Sequence, residues 1–560
     1  MIGRRMRHFR RYRFVASVMA RHGLGFLVEE IGLLHLLSLP RRLFTDTEPA
    51  ASDPKSIGQR IREVCEELGP TFIKIGQMAS SRPDLIPEGI MLELAKLQDQ
   101  VPPFPSAAAR QIIEDEMGVP LEKVFREFDD VPLAAASIGQ VHRGVLLSGE
   151  EVAVKVQRPE IKNLIKTDLE ILTDFAALAE HRLEWAARYQ LTEIVEEFVR
   201  SLTAEMDYTI EARNAARIAK QFSGEAYLKV PAIFWDLTTA RVLTMEYIEG
   251  IKLTDVAELE RRGYNPGHMA NMIVRTILQQ ILMEGFFHGD PHPGNILAVS
   301  ADVIALIDFG MVGRLTPDMR YNFASIVIAM MRQNTDGMLQ AVLRMGIVPD
   351  DVNMRRLRQD VDDLREKYME VPLSRISLGE AVNDLFVVAF RHRIRIPADL
   401  TLVGKSLLTL EGLVEALDPE LSIMDVAQPF GRRLLRERFR PDYLGQKAWH
   451  NLNEYGELLL DLPKQLKELL RNVQRGQLNL HVRLPEADDL LHKLDRMTNQ
   501  ISFSIVLLAF SIVMAGLIIA SAQSRQPIML FHFPAIELGF GVAGIMFIWM
   551  IFAIFRSGRF

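Results

Sequence analysis

His288-Gly289-Asp290-Pro291-His292-Pro293-Gly294-Asn295 is followed, thirteen residues later, by Asp308-Phe309-Gly310. Two acids and an Asn in this order suit phosphoryl transfer from a nucleotide. That chemistry needs one carboxylate to accept or orient the proton of the attacking group. It also needs two oxygen donors to hold Mg²⁺ against the phosphates. Asp290 suits the first task, and Asn295 with Asp308 the second. Asp-x-x-x-x-Asn alone is a common loop cap. With Asp-Phe-Gly at this distance, in the apolar frame Val303-Ile304-Ala305-Leu306-Ile307, the pattern becomes specific.

The upstream half of such a site follows the order of a kinase-like fold. Glu151-Val152-Ala153-Val154-Lys155-Val156 reads as a strand, and its Lys155 matches the Val-Ala-Ile-Lys pattern that holds the α- and β-phosphates. A Lys in an apolar strand is, by itself, more often an edge gatekeeper. A helical stretch is expected from about Leu191 to Phe222, carrying Glu205-Met206-Asp207 and Glu211. Glu211 is the first choice as partner of Lys155. Arg241 to Gly250 reads as a strand running into a hinge, where the backbone from Glu246 to Ile248 would meet the adenine ring.

One expected part is absent. No Gly-x-Gly-x-x-Gly precedes Lys155, and Leu133-Ala134-Ala135-Ala136-Ser137-Ile138-Gly139-Gln140 stands in its place. Glycines let backbone N–H groups approach phosphates because they lack a Cβ. Three alanines make a stiffer, narrower turn. A second peculiarity is Leu68-Gly69-Pro70-Thr71-Phe72-Ile73-Lys74-Ile75-Gly76-Gln77-Met78-Ala79-Ser80-Ser81-Arg82-Pro83-Asp84, well ahead of the nucleotide lobe. Taken together, Lys74-Ile75-Gly76-Gln77, the alanine loop, Glu205-Met206-Asp207 and His288 to Asn295 resemble the ABC1/UbiB (ADCK/COQ8) atypical kinase-like family. The resemblance covers roughly residues 55 to 420, and the C-terminal hairpin resembles that of the bacterial members.

The resemblance implies roles at matching positions. Lys74 and Gln77 would belong to an extension folded over the active site that blocks protein substrates. Ala134, Ala135, Ala136, Ser137, Ile138 and Gly139 would form the nucleotide loop, with Lys155 on the phosphates and Glu211 as its ion-pair partner. Glu205 and Asp207 would be the acidic motif near the metal that restrains phosphotransfer. Asp290 would be the catalytic-loop acid, and Asn295 and Asp308 the metal ligands. The implied cofactors are ATP and Mg²⁺. The implied activity is that of an ATPase or lipid or small-molecule kinase supporting ubiquinone biosynthesis.

Composition agrees with a membrane-associated enzyme of reducing compartments. Lys and Arg number 65 against 72 Asp and Glu, a net charge of −7 with interspersed signs, which argues against nucleic acid as partner. The single cysteine, Cys65, excludes internal disulfides and reads as a small buried hydrophobe. Arg4, Arg5, Arg7, Arg10, Arg11 and Arg13, interleaved with His8, Phe9, Tyr12 and Phe14, read as contacts to anionic head groups. Gly23 to Phe44 is expected to be an amphipathic helix. Ile501 to Ala522 runs 22 residues without a charge, enough to cross about 30 Å of hydrocarbon, and Leu538 to Phe555 is a second, marginal span. Lys493, Arg496, Arg556 and Arg559 flank the pair outside, against Arg525 between them. The positive-inside bias puts both ends and the catalytic domain on the cytoplasmic side of the inner membrane.

The expected organisation is an α+β, two-lobed, protein-kinase-like fold with an N-terminal helical extension and a C-terminal transmembrane hairpin. Its parts are a basic, amphipathic segment at 1–50, a helical extension at 51–105 and a nucleotide-binding small lobe at 106–250. A helical large lobe at 251–428, a helical connector at 429–500 with a short strand at 477–484, and membrane spans at 501–522 and 538–555 follow. Pro102-Pro103-Phe104-Pro105 is expected to be a linker. The expected partners are membrane lipid and quinone intermediates, other quinone-biosynthesis enzymes and a second copy of the chain. Two other readings stay open: a small-molecule phosphotransferase of the aminoglycoside or choline type, and a nucleotide-switched scaffold without turnover.

Overall fold

The computed structural model describes residues 2–26, 56–80, 86–97, 101–183, 186–187, 190–332, 334–349, 352–369 and 377–438 of a first unit, 1–447. Of a second unit, 448–560, it describes 504–505, 508–509, 511–512, 515–516, 519, 529–530 and 533–534. Residues 27–44 of the expected amphipathic helix, the connector beyond 438 with its strand at 477–484, and most of both expected spans lie outside these. Among the described residues no helix is long and apolar enough to cross a membrane.

The extension is helical. It comprises α1 (Ile2–Arg21), α2 (Ile57–Leu68), α3 (Pro70–Ala79) and α4 (Glu88–Leu94). Ser56 and Gln59 close a capping box at the start of α2, and Pro70 occupies the first turn of α3, where its missing N–H costs nothing. Val15, Val18, Val64, Leu68, Phe72, Ile73, Leu94 and Leu97 form their shared core. This narrows the reading of the basic N-terminus as a contact to anionic head groups. Arg11 makes a two-pronged ion pair with the fully buried Asp168, at 2.7 and 2.8 Å, and caps the Leu68 carbonyl at 2.8 Å. One face of α1 is therefore bound to protein, while Phe9, Arg10, Arg13 and Phe14 on the other stay exposed. Cys65 is buried and its thiol is pushed up to about 12, so it packs as a hydrophobe.

The small lobe begins with α5 (Ser106–Met117) and the antiparallel strands β1 (Phe125–Phe128), β2 (Ala134–Ala135), β3 (Gly139–Leu146) and β4 (Glu151–Gln157). Helices α6 (Ile161–Arg182), α7 (Leu191–Glu205) and α8 (Tyr208–Gln221) follow. Strand β5 (Leu228–Lys229) leaves for the large lobe, β6 (Val242–Glu246) returns, and β7 (Ile251–Lys252) leaves again. The small-lobe sheet runs β1-β3-β4-β6, with β2 on β3, and the large-lobe sheet runs β5-β10-β9-β7. The chain thus crosses between lobes more than once around 221–251, where a single boundary near 250 was expected. The Pro102-to-Pro105 stretch leads into α5 without helix or strand, and it is held down. Phe104 is buried, and the Gln140 amide bonds both its N–H (3.0 Å) and its carbonyl (3.2 Å).

The expected continuous helix from 191 to 222 is two helices. Asp207 adopts extended backbone and accepts from the Thr209 N–H at 3.0 Å, which makes it the N-cap of α8. Buried Gln157 fills the break by donating to the carbonyls of Met206 (2.7 Å) and Ala240 (3.0 Å).

The large lobe holds α9 (Val256–Arg261), α10 (Pro266–Leu278) and a π-helical turn at Gln279–Glu284. Next come β8 (Phe286–His288), β9 (Ile296–Ser300), β10 (Val303–Leu306) and β11 (Val312–Arg314), with β8 paired to β11. Six helices complete it: α11 (Pro317–Met331), α12 (Thr335–Met345), α13 (Met354–Met369), α14 (Leu378–Arg391), α15 (Ala398–Leu417) and α16 (Ile423–Arg438). On α15, Leu400, Val403, Leu407, Leu410, Val414 and Leu417 recur at helical spacing and are buried with Phe286, Phe287, Phe323 and Phe386. Each such side chain contributes roughly 1.5–3 kcal/mol by leaving water. This block carries the loop 288–295.

Candidate active site

Strand alternation places Val154 and Val156 in the core and turns Lys155 the other way, between Val141 and Leu243 of the neighbouring strands. Lys155 Nζ donates to both carboxylate oxygens of Glu211, at 2.8 and 2.9 Å. Glu211 lies in the first turn of α8, so the Asp207 cap fixes where this acid points. Burial opposes the Lys155 ammonium, yet Glu211, Asp308 and the Tyr208 ring side hold its pKa well above the ordinary lysine value. Asn214, one turn beyond Glu211, donates to the Phe309 carbonyl at 3.0 Å and ties α8 to Asp308-Phe309-Gly310.

Asp308 follows β10. Burial would raise its pKa, but Lys155, the Gly310 N–H at 2.8 Å and Lys74 together hold it below the usual carboxylate range. It is therefore ionised at neutral pH. Asn295 sits beside it, because the Asn295 carbonyl accepts from the Ile307 N–H at 3.1 Å. The candidate catalytic loop is anchored at His288, whose N–H donates to buried Gln280 on the π-helical turn at 2.8 Å. Burial pushes the His288 imidazole down, so it is neutral, and its Nδ1 accepts from the Asp290 N–H at 3.1 Å. His288 is thus a loop-shaping residue.

The alanine loop is closed on itself. Ala134 and Ala135 pair with Val141 and Gln140, and the Ala136 N–H donates to the Gly139 carbonyl at 2.8 Å. Ser137 and Ile138 are buried. Arg158 holds the turn from outside by donating to the carbonyls of Ala136 (3.1 Å) and Pro102 (2.9 Å). At the hinge, Glu246 pairs with Lys229 at 2.6 Å, and Ile248 joins Leu297 and Ala305 in a small apolar cluster.

The extension reaches the same place. Lys74 Nζ lies 2.7 Å from Glu205, so α3 is tied to the end of α7, and the charge of Lys74 bears on Asp308. Gln77 donates instead to the Leu97 carbonyl at 3.2 Å. Gly76 is required between them, since a Cβ there would lie 2.3 Å from the Leu97 side chain. Asp207, grouped with Glu205 in the sequence, spends its Oδ1 on capping α8, where Thr209 Oγ also donates to it at 2.7 Å.

One contact had no sequence signal pointing to it. Lys405, on α15, places Nζ 3.4 Å from Asp290 Oδ2, and Ser406 donates to the His288 carbonyl at 3.0 Å. The only available hint was a lysine inside an otherwise apolar helical run. For a metal, Asp308 and Asn295 offer one carboxylate and one amide oxygen. Mg²⁺ suits such a set, since it takes few protein oxygens and fills the rest with phosphates and water. Among the described residues no cluster of three or more His, Cys, Asp or Glu competes for a metal.

Comparison with known proteins agrees with this arrangement. Residues 96–342 match the ABC1 atypical kinase-like domain, 361–422 the UbiB helical domain and 485–556 the ABC1/UbiB kinase-like C-terminal domain. The "Probable protein kinase UbiB" of Cellvibrio japonicus is 35% identical over 461 residues, 82% of each chain. The chain belongs to the ABC1/UbiB kinase-like family. A second "Probable protein kinase UbiB", from Marinobacter nauticus, is 36% identical over 424 residues, covering 75% of this chain and 77% of that one. The protein sll1770 of Synechocystis is 39% identical over 459 residues, 80% of this chain and 78% of that one. The ABC1/UbiB family assignment makes the mixed helix-and-sheet, kinase-like fold secure. Within that fold the ABC1 match spans the alanine loop, Lys155, Glu211, Asp290, Asn295 and Asp308, while Lys405 falls in the UbiB helical match.

Proposed function

We propose that the chain is a membrane-anchored atypical kinase-like ATPase that binds Mg-ATP and acts on, or helps extract, lipid-like intermediates of ubiquinone-type quinone biosynthesis. The observation that carries the nucleotide half is the ionised Asp308 held within electrostatic reach of the Lys155–Glu211 pair, with Asn295 beside it. Lys155 would engage the α- and β-phosphates, and Asp308 and Asn295 would hold Mg²⁺, which supplies charge neutralisation on the phosphates when bound. Asp290 would accept the proton of the attacking hydroxyl or water. The Lys74–Glu205 tie keeps the extension against the small lobe and favours a small substrate over a protein one.

The membrane half rests on the charge-free run 501–522 and on its described helical residues, where Ile505, Leu508, Ile512 and Ile519 are all exposed. Exposed Ile and Leu at this spacing would suit a lipid-facing stripe. A catalytic domain tethered at the bilayer reaches an isoprenoid intermediate that never leaves it. The test is ATP hydrolysis by the full chain in lipid bilayers, with and without a phenolic quinone-precursor mimic. Stimulation by lipid and phenol, absent in Asp308→Asn, supports the assignment. Turnover indifferent to both would refute the substrate class.

A further inference from the structure

Helix α15 grips the catalytic loop along one face, with contacts on successive turns. Asp399 accepts from the Arg314 N–H at 2.9 Å. Leu402 fills the space beside Gly289, where a Cβ would lie 2.7 Å from its side chain. Lys405 Nζ stands 3.4 Å from Asp290 Oδ2 and 3.7 Å from Met311 Sδ, and Ser406 holds the His288 carbonyl. Leu402 and Ser406 position the loop, and Asp399 braces β11 beside it. Lys405 brings a positive charge to the acid at the centre of the chemistry.

Phosphoryl transfer depends on cations at the oxygens of the migrating group. Between Asp290 and Asn295 the loop reads Pro291-His292-Pro293-Gly294 and carries no Lys or Arg. Lys155 is engaged with Glu211 and Lys74 with Glu205. The Lys405 and Asp290 side chains are 20% and 35% exposed, and an ion pair that wet adds little to stability. Such a lysine, held at the rim of the acid, is placed for a ligand.

We propose that Lys405 is a phosphate-binding residue. Its ammonium bridges Asp290 and the terminal phosphate of bound nucleotide, so the helical domain supplies the cation that the catalytic loop lacks. The inference rests on the Mg-ATP reading above. In the transfer step the acceptor oxygen bonds to the γ-phosphorus, and the bond from that phosphorus to the β,γ-bridging oxygen breaks. The electron pair leaves with ADP, and the acceptor's proton passes to Asp290. Lys405 keeps its proton throughout and screens the carboxylate from the phosphate oxygens.

The test compares affinities of the full chain in lipid nanodiscs for Mg-ADP and for a non-hydrolysable Mg-ATP analogue, by calorimetry. Lys405→Met is expected to weaken the analogue about tenfold, a charge-assisted contact's worth, with ADP affinity unchanged. Lys405→Arg restores most of the difference. Ser406→Ala, which loosens the brace but keeps the charge, lowers the melting temperature and leaves the ratio of affinities as in wild type. A Lys405→Met protein whose ratio equals that of wild type overturns the proposal, whether or not both affinities fall. Wild type that binds neither nucleotide overturns the Mg-ATP reading and this one with it. Wild type that binds both, with the ratio unmoved by Lys405→Met, overturns the Lys405 assignment alone.

Discussion

Removing Lys155 is expected to cost more stability than removing Glu211, and removing both less than the sum. The pair is buried, with side chains 16% and 7% exposed, and joined by two short bonds. Deleting one partner of a buried pair costs about 3–5 kcal/mol because the other charge is left uncompensated. Lys155→Met strands two carboxylates, since Glu211 and Asp308 both face the ammonium. It should lie at the upper end of that range. Glu211→Met leaves Lys155 facing Asp308 and should cost roughly 1–3 kcal/mol. In Lys155→Met/Glu211→Met an apolar contact replaces the pair, and such replacements are often neutral or stabilising. A loss of about 3 kcal/mol lowers the melting temperature by roughly 6–12 °C in a large domain. Thermal melts of the four proteins read the cycle. Equal losses for the two single variants, or a double variant as unstable as their sum, would refute the electrostatic reasoning.

Gln140→Leu leaves the buried N–H and carbonyl of Phe104 unpaired, at about 1–3 kcal/mol each; limited proteolysis should then cut at 101–105 faster than in wild type. Lys74→Met breaks the tie to Glu205, so amide exchange in α3 should rise while that of α15 stays unchanged. Burial holds His142 and His288 neutral, with pKa values below the ordinary one. The unfolded chain takes up protons at these two positions near pH 6.5, so it binds more protons than the fold does. Stability should therefore fall as pH drops below about 6.5, by up to about 1.4 kcal/mol per pH unit for each histidine. Denaturation at pH 7.5 and 5.5 should show a shallower fall in His142→Gln; an unchanged slope would contradict the burial argument.

The parts of the site legible in the sequence are those whose geometry is local. A lysine in an apolar strand, an acid on a helical stretch, and Asp308 after an apolar run each follow from strand alternation or helix spacing. The remainder depends on tertiary contacts. Asp207 reads as half of an acidic motif, and its capping role needs the break between α7 and α8. Arg11 reads as a lipid contact because nothing local announces Asp168, 157 residues away. The excursion of β5 into the large-lobe sheet rests on two residues paired with β10, too short to leave a periodic pattern. Lys405 is 115 residues from Asp290 on a helix whose pattern speaks only of core packing.

The most direct test of the central claim is Mg-dependent ATP turnover by the full chain in lipid, beside Asp290→Asn matched for folding and nucleotide affinity. The expected result is turnover in wild type that vanishes without Mg²⁺ and falls at least a hundredfold in the variant, the scale of a lost general base. Nucleotide binding with turnover no higher in wild type than in Asp290→Asn would contradict the enzyme and leave a nucleotide-switched scaffold.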